Sequence, residues 1–160
     1  VGNRDFLLGE QFCASVGATL LPDPTIIDLY GKPTLLMHGD SLCTTDEEYM
    51  TFRATARDPA WQADLMSKTI EHRRALAAQL RSMSSEANSN KAEDIMDVTP
   101  SEVDREMAEA GVTQLIHGHT HRPARHEVDN GVRWVLGDWG SQGWAIEADK
   151  SKASLINFLI

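Results

Sequence analysis

Two cysteines, no long apolar run and a shortage of basic residues set the first limits on this chain. Cys13 and Cys43 form at most one pair, too few for a disulfide scaffold, so they read as buried free thiols of a reduced, cytosolic protein. No segment approaches the roughly 20 consecutive apolar residues of a membrane-spanning helix. No secretory signal peptide opens the sequence either. Fifteen Lys and Arg stand against twenty-four Asp and Glu, a formal charge of −9. That balance excludes non-specific nucleic-acid binding as the main role, because basic side chains on phosphates carry such binding. What is present is a 41% apolar chain of 160 residues, enough for the core of one domain.

Turn residues divide the chain into short elements. FLLGEQFCASV, residues 6–16, reads as a helix stopped by Gly17. TLL, TIIDLY and PTLLM follow as three apolar runs separated by Pro-Asp-Pro and Gly-Lys-Pro, the pattern of strands. TTDEEYMTFRAT begins a helix with Thr45 and Glu48 at capping-box spacing. Residues 59–83 carry apolar positions at helical spacing, with His72, Arg73, Arg74 and Arg81 as an outward basic face, and SSEANSNK interrupts them. A further helix has Thr99 as cap, Pro100 first, Glu102 closing the box and Gly111 as stop. VTQLI, VRWVLGDWG, WAIEA and ASLINFL are strands of a β-rich end. Helices alternating with strands indicate an α/β protein with a mixed sheet or two packed sheets, and residues 59–98 a helical insertion.

The chemistry lies where apolar runs end. LIHGHTHRPA, residues 115–124, holds three of the six histidines. In an extended backbone His117, His119 and His121 project to one side, and Gly118 allows a sharp bend. Neutral imidazole is the commonest protein ligand for transition metals, so this loop is a candidate metal site. LLMHGD repeats the architecture with His38, Gly39 and Asp40, again at the end of a strand, where α/β proteins place their sites. GNRD, residues 2–5, adds an amide oxygen from Asn3 and a guanidinium fork from Arg4 that suits phosphate.

In this order, Gly-Asn, His-Gly and Gly-His-x-His resemble the downstream motifs of the calcineurin-like metallophosphoesterases. The resemblance implies a two-sheet sandwich flanked by helices and two divalent metal ions, Mn²⁺ by family habit. It implies that Asn3, His38 and His119 bind one metal, that His121 helps bind the other, and that His117 supports them. The family more often has histidine where Arg4 stands. GNRD followed by DFLLG, with LLMHGDSLCTTDEEY, SSEANSNKAEDIMDV and LIHGHTHRPARHE, is similar to the branch that cleaves the pyrophosphate of UDP-2,3-diacylglucosamine in bacterial lipid A synthesis. The products there are UMP and 2,3-diacylglucosamine 1-phosphate, formed by attack of hydroxide on the α-phosphorus. By the same matching, Asn3, Arg4, Asp46, Arg81, Ser84, Asn88, Lys91 and His119 fall at the substrate, with His119 and Arg4 as catalytic candidates. The insertion becomes a cap gripping two acyl chains, and its basic face with Trp61 suits the anionic cytoplasmic face of an inner membrane. No stable protein partner is implied.

Two features pull the other way. The family's Asp-x-His and Gly-Asp motifs, which complete the metal site, do not precede Asn3. The chain opens VGNRDFLLG without methionine, and it reads as the C-terminal part of one longer domain. The expectation is that residues 1–160 alone bind metal weakly and turn over little. Other readings are a relative acting on another phosphodiester or nucleotide, and a catalytically dead module that binds a partner through metal.

Overall fold

The computed structural model describes residues 1–90 and 95–160, with side chains up to residue 84 and from residue 95 onward. Its centre is a five-stranded mixed sheet in the order β1-β2-β3-β5-β4. Strands β1 (Thr25–Leu29) and β2 (Lys32–Met37) form an antiparallel hairpin. The turn residues Tyr30 and Gly31 have φ of 55° and 85°, the left-handed pair whose twist matches the strands. β3 (Gln114–His117) runs parallel to both β2 and β5 (Gly131–Val135), and β4 (Ala124–Val128) closes the far edge antiparallel to β5.

Alternation along the strands gives each face its own core. Leu35, Met37 and Leu115 point to one face, where they pack with Leu42, Val98, Val112 and the apolar stripe of α5 (Pro100–Ala110), Val103 and Met107. Leu36, Ile116, Val132 and Trp134 point to the other. There they meet Ile146 and Leu155 of the hairpin formed by β6 (Gln142–Ala148) and β7 (Ala153–Leu159). The protein is thus mixed α/β, with helix α5 on one face of the sheet and a two-stranded sheet against the other.

Several elements differ from the sequence expectation. The first helix, α1, covers only Glu10–Ser15. TLL is not a strand: Leu20 and Leu21 are exposed, and no strand pairs with them among the described residues. The following Pro-Asp-Pro turns the chain straight into β1. Helix α2 (Glu47–Ala56) is capped by Asp46, whose Oδ1 accepts the Tyr49 N–H at 3.0 Å, and not by Thr45. Residues 59–83 are two helices, α3 (Pro59–Ser67) and the start of α4 (Ile70–Asn90). SSEANSN does not interrupt α4, which runs through it. Ser and Asn cost a helix only a few tenths of a kcal/mol each, and no Gly or Pro stands there to break it. Thr99 precedes α5 without a side-chain cap bond, because its hydroxyl is engaged 2.8 Å from that of Thr44. β4 gave no clear sequence signal, since Arg, His and Glu fill an edge strand. Among the described residues no helix is long and apolar enough to cross a membrane.

Candidate active site

The site is assembled by register. β2 and β3 are parallel neighbours with Met37 opposite His117, so the HGD and HGHTH loops leave the same sheet edge side by side. The Gly118 N–H donates to the His38 carbonyl at 3.0 Å. The His38 N–H donates to Asp23 Oδ1 at 3.0 Å, which ties it to the turn before β1. The GNRD segment lies on top of it. A Cβ at Gly2 would stand 2.5 Å from the His38 ring, so only glycine allows this approach.

Three groups crowd His38 Nε2. Asn3 Oδ1 and His119 Nδ1 each lie 3.2 Å away, and the Asn3 backbone nitrogen lies at 3.3 Å. No proton placement satisfies them all. An unprotonated Nε2 accepts from the Asn3 N–H but faces Oδ1 lone pair to lone pair. A protonated Nε2 can donate to Oδ1 or Nδ1 but then opposes the Asn3 N–H. A cation shared by Nε2, Oδ1 and Nδ1 removes the conflict, so this donor set fits a divalent metal. Among the described residues no group of three His, Cys, Asp or Glu is placed to hold a metal ion, the third donor here being an amide. Burial keeps both imidazoles in the neutral, ligating form. It holds His38 below its ordinary pKa against the pull of Asp40 and Asp23. It brings His119 down to about 4, with the His38 ring adding to the effect.

The three histidines of HGHTH do not converge as an extended strand would make them. β3 ends at His117, and a tight turn follows in which the Thr120 N–H donates to the Gly118 carbonyl at 2.8 Å. His119 and His121 take left-handed φ of 67° and 54°, a strained state for residues with a Cβ. His119 turns toward His38, while His121 is exposed. His117 points inward and is 1% exposed. Its Nε2 accepts from Arg133 Nη1 at 3.1 Å, so the hydrogen sits on Nδ1 and is donated to the Gly118 carbonyl at 2.9 Å. Both ring nitrogens are thereby used within the protein, and burial lowers the pKa of His117 to about 4. Gly39, with φ of 102°, lies so close that an added Cβ would come within 2.6 Å of that Nδ1.

Beside the histidines opens a cavity of about 280 Å³ between the GNRD segment, α2 and α4. Asn3, Arg4, Asp46, Arg81 and Ser84, all expected at a substrate, line it together with Tyr49, Phe52, Leu76 and Leu80. The side chain of Asn88 and the whole of Lys91 lie outside the described residues. Of the basic residues expected to face outward, His72, Arg74 and Arg81 are exposed, while Arg73 is partly buried; Arg73 and Arg81 both reach the cavity lining. Trp61 packs against Phe6, which lines the cavity, with ring centroids 6.0 Å apart.

Sequence reasoning missed the support beneath the histidines. Asp23 and Arg133 gave no signal. Tyr49, Arg53 and Arg57 did carry one, since their i, i+4, i+8 spacing lines one helix face.

No family model matches the chain. It is similar to curated proteins named UDP-2,3-diacylglucosamine hydrolase. That of Cellvibrio japonicus is 56% identical over 98% of this chain and 67% of its own length. That of Chromohalobacter salexigens is 58% identical over 92% of the chain and 62% of its own length. That of Pseudomonas aeruginosa is 55% identical over 92% and 63%. The chain therefore spans roughly two thirds of these relatives, from 62% to 67% of their length.

Proposed function

The chain belongs to the UDP-2,3-diacylglucosamine hydrolase family, and from that premise we propose that it carries the metal-binding and substrate-gripping residues of a pyrophosphohydrolase acting on UDP-2,3-diacylglucosamine. The observation that carries this reading is the meeting of three metal-competent atoms, with Asn3 Oδ1 and His119 Nδ1 each 3.2 Å from His38 Nε2, beside a largely apolar cavity that Asn3 itself lines. Asn3, His38 and His119 hold one divalent cation, and His121 contributes to a second. When bound, such ions, Mn²⁺ in this proposal, neutralise phosphoryl charge and acidify water.

The chain's own residues do the rest. Arg4 presents its fork to the phosphoryl oxygens, where charge grows as the bond to the α-phosphorus forms. Asp46, Arg81, Ser84, Asn88 and Lys91 orient the nucleotide and sugar. Phe52, Leu76 and Leu80 shelter acyl chains from water, which makes α3 and α4 a cap. His117 holds the HGHTH loop through the Gly118 carbonyl. The products are UMP and 2,3-diacylglucosamine 1-phosphate, which places the reaction in lipid A synthesis. Met66, Ile70 and Met83 are each at least 50% exposed on the cap helices, as peripheral contact with an anionic inner-membrane surface requires. The wider two-sheet sandwich of metallophosphoesterases accommodates the sheet pair described above, and this chain is part of one such domain.

The test is release of UMP from UDP-2,3-diacylglucosamine with Mn²⁺ present. It is run on the 160-residue chain and on any longer product of its reading frame. The expected result is metal-dependent release that EDTA abolishes, weak from residues 1–160. Hydrolysis of a generic phosphodiester without UMP release would reject the substrate. No hydrolysis of either would favour a binding module.

A further inference from the structure

We propose that Asp40, Tyr49 and Arg57 are positioning residues that lock the three donor-bearing segments of the site together through one buried carboxylate. Its functional meaning rests on the hydrolase reading, but its structural consequence does not.

Asp40 is 1% exposed and follows His38 by two residues, across the tight Gly39 turn. Helix α2 presents Tyr49, Arg53 and Arg57 to it from one stripe. The Tyr49 hydroxyl donates to Asp40 Oδ2 at 2.8 Å. Arg53 Nε lies 3.1 Å and Arg57 Nη2 3.6 Å from the same oxygen. The other oxygen, Oδ1, is buried without a hydrogen-bond donor among the described residues. All direct compensation of the charge therefore falls on Oδ2, and loss of any partner there leaves a buried carboxylate under-compensated.

Structural need alone does not account for where the far ends of these partners go. The Tyr49 ring lies against the His119 ring, with centroids 5.0 Å apart and planes at 43°. That contact backs an imidazole carried on a left-handed backbone, φ 67°. Arg57 Nη2 also donates to the Val1 carbonyl at 3.0 Å, two residues before Asn3. Asp40 itself continues directly from His38. One carboxylate is thus linked to the segments carrying Asn3, His38 and His119, whose ligating atoms meet at His38 Nε2. Three ligating atoms from separate segments keep their geometry only if those segments are held together, and this network is attached to each of them. Residues that orient ligands in this way are commonly worth 10–100-fold in metal affinity.

The variants are Tyr49→Phe and Arg57→Gln, with Arg57→Lys as the conservative rescue and Arg105→Gln on the exposed face of α5 as a charge-loss control. Two readouts are taken on the 160-residue chain. One is the side-chain nitrogen and carbon NMR signals of His38 and His119 without metal. The other is the affinity for Mn²⁺ alone by calorimetry. Tyr49→Phe and Arg57→Gln should each broaden or shift the His119 or His38 signals and weaken Mn²⁺ about tenfold or more, while Arg57→Lys recovers most of the affinity. Unchanged signals and affinity in both variants, whatever their melting temperatures, would overturn the proposal, as would an equal loss in Arg105→Gln. If the parent chain does not bind Mn²⁺, the metal reading fails and the metal-free histidine signals decide this proposal alone.

Discussion

Replacing His119 by alanine is expected to reduce Mn²⁺ affinity and UMP release by more than about a hundredfold, beyond the range seen when outer partners of a metal site are removed. The residue has two linked tasks. Its Nδ1 is one of the three donors meeting within 3.2 Å of His38 Nε2, and its ring is the surface that Tyr49 packs against. The fold should survive the change. His119 sits in a loop after β3 and is only partly buried, and alanine faces the same left-handed strain at φ 67° that histidine already bears. The loss should therefore appear in turnover and metal binding, with a melting temperature close to the parent's. A variant that lost activity only in proportion to its stability would show that His119 is a structural residue.

Mild acid is expected to destabilise the chain through His117. This imidazole is 1% exposed, and burial has lowered its pKa to about 4. The unfolded state, with an ordinary value near 6.5, takes up the proton first as pH falls. Stability is thus fully present above about 6.5, declines between about 6.5 and 4, and stops declining on this account below about 4. The total is on the order of 3 kcal/mol. The physical reason is local: a protonated Nε2 would point its hydrogen at the Arg133 guanidinium that now donates to it. His119, which burial likewise brings to about 4, contributes with the same sign over the same range. Asp40, held low although burial alone would raise it, acts only below the ordinary carboxylate range, because the Tyr49 hydroxyl and the Arg53, His38 and Arg57 charges favour its ionised form. Urea midpoints measured from pH 7.5 to 4.5 check this. His117→Gln, which can still accept from Arg133 and cannot titrate, should flatten the slope. A slope unchanged in that variant would assign the acid sensitivity elsewhere.

How legible the site was in the sequence depended on the distance each contact spans. The HGD and HGHTH loops announced themselves because each follows an apolar strand directly, and parallel pairing then brings such loop starts together. GNRD could be linked to them only through the order of motifs, since no local pattern places Gly2 on the His38 ring. The extended geometry assumed for the three histidines failed at Thr120, where a short turn rotates His119 and His121 away from the direction of His117. The carboxylate beneath the site was hidden for a different reason. Asp40 reads as one more polar loop residue, and its burial depends on a helix that starts seven positions later. The α2 cap moved from Thr45 to Asp46 because both are competent caps, and tertiary contacts chose between them. Ser and Asn near residue 87 looked like a loop because their preference for turns is real, but helix α4 outweighs so small a cost once it is under way.

The most direct measurement is anomalous X-ray scattering at the manganese edge from crystals soaked in Mn²⁺. The predicted result is a peak in coordinating contact with Asn3 Oδ1, His38 Nε2 and His119 Nδ1 together, beside the cavity lined by Asn3, Arg4 and Tyr49. A chain saturated with Mn²⁺ whose only peaks lie away from these three atoms would contradict it.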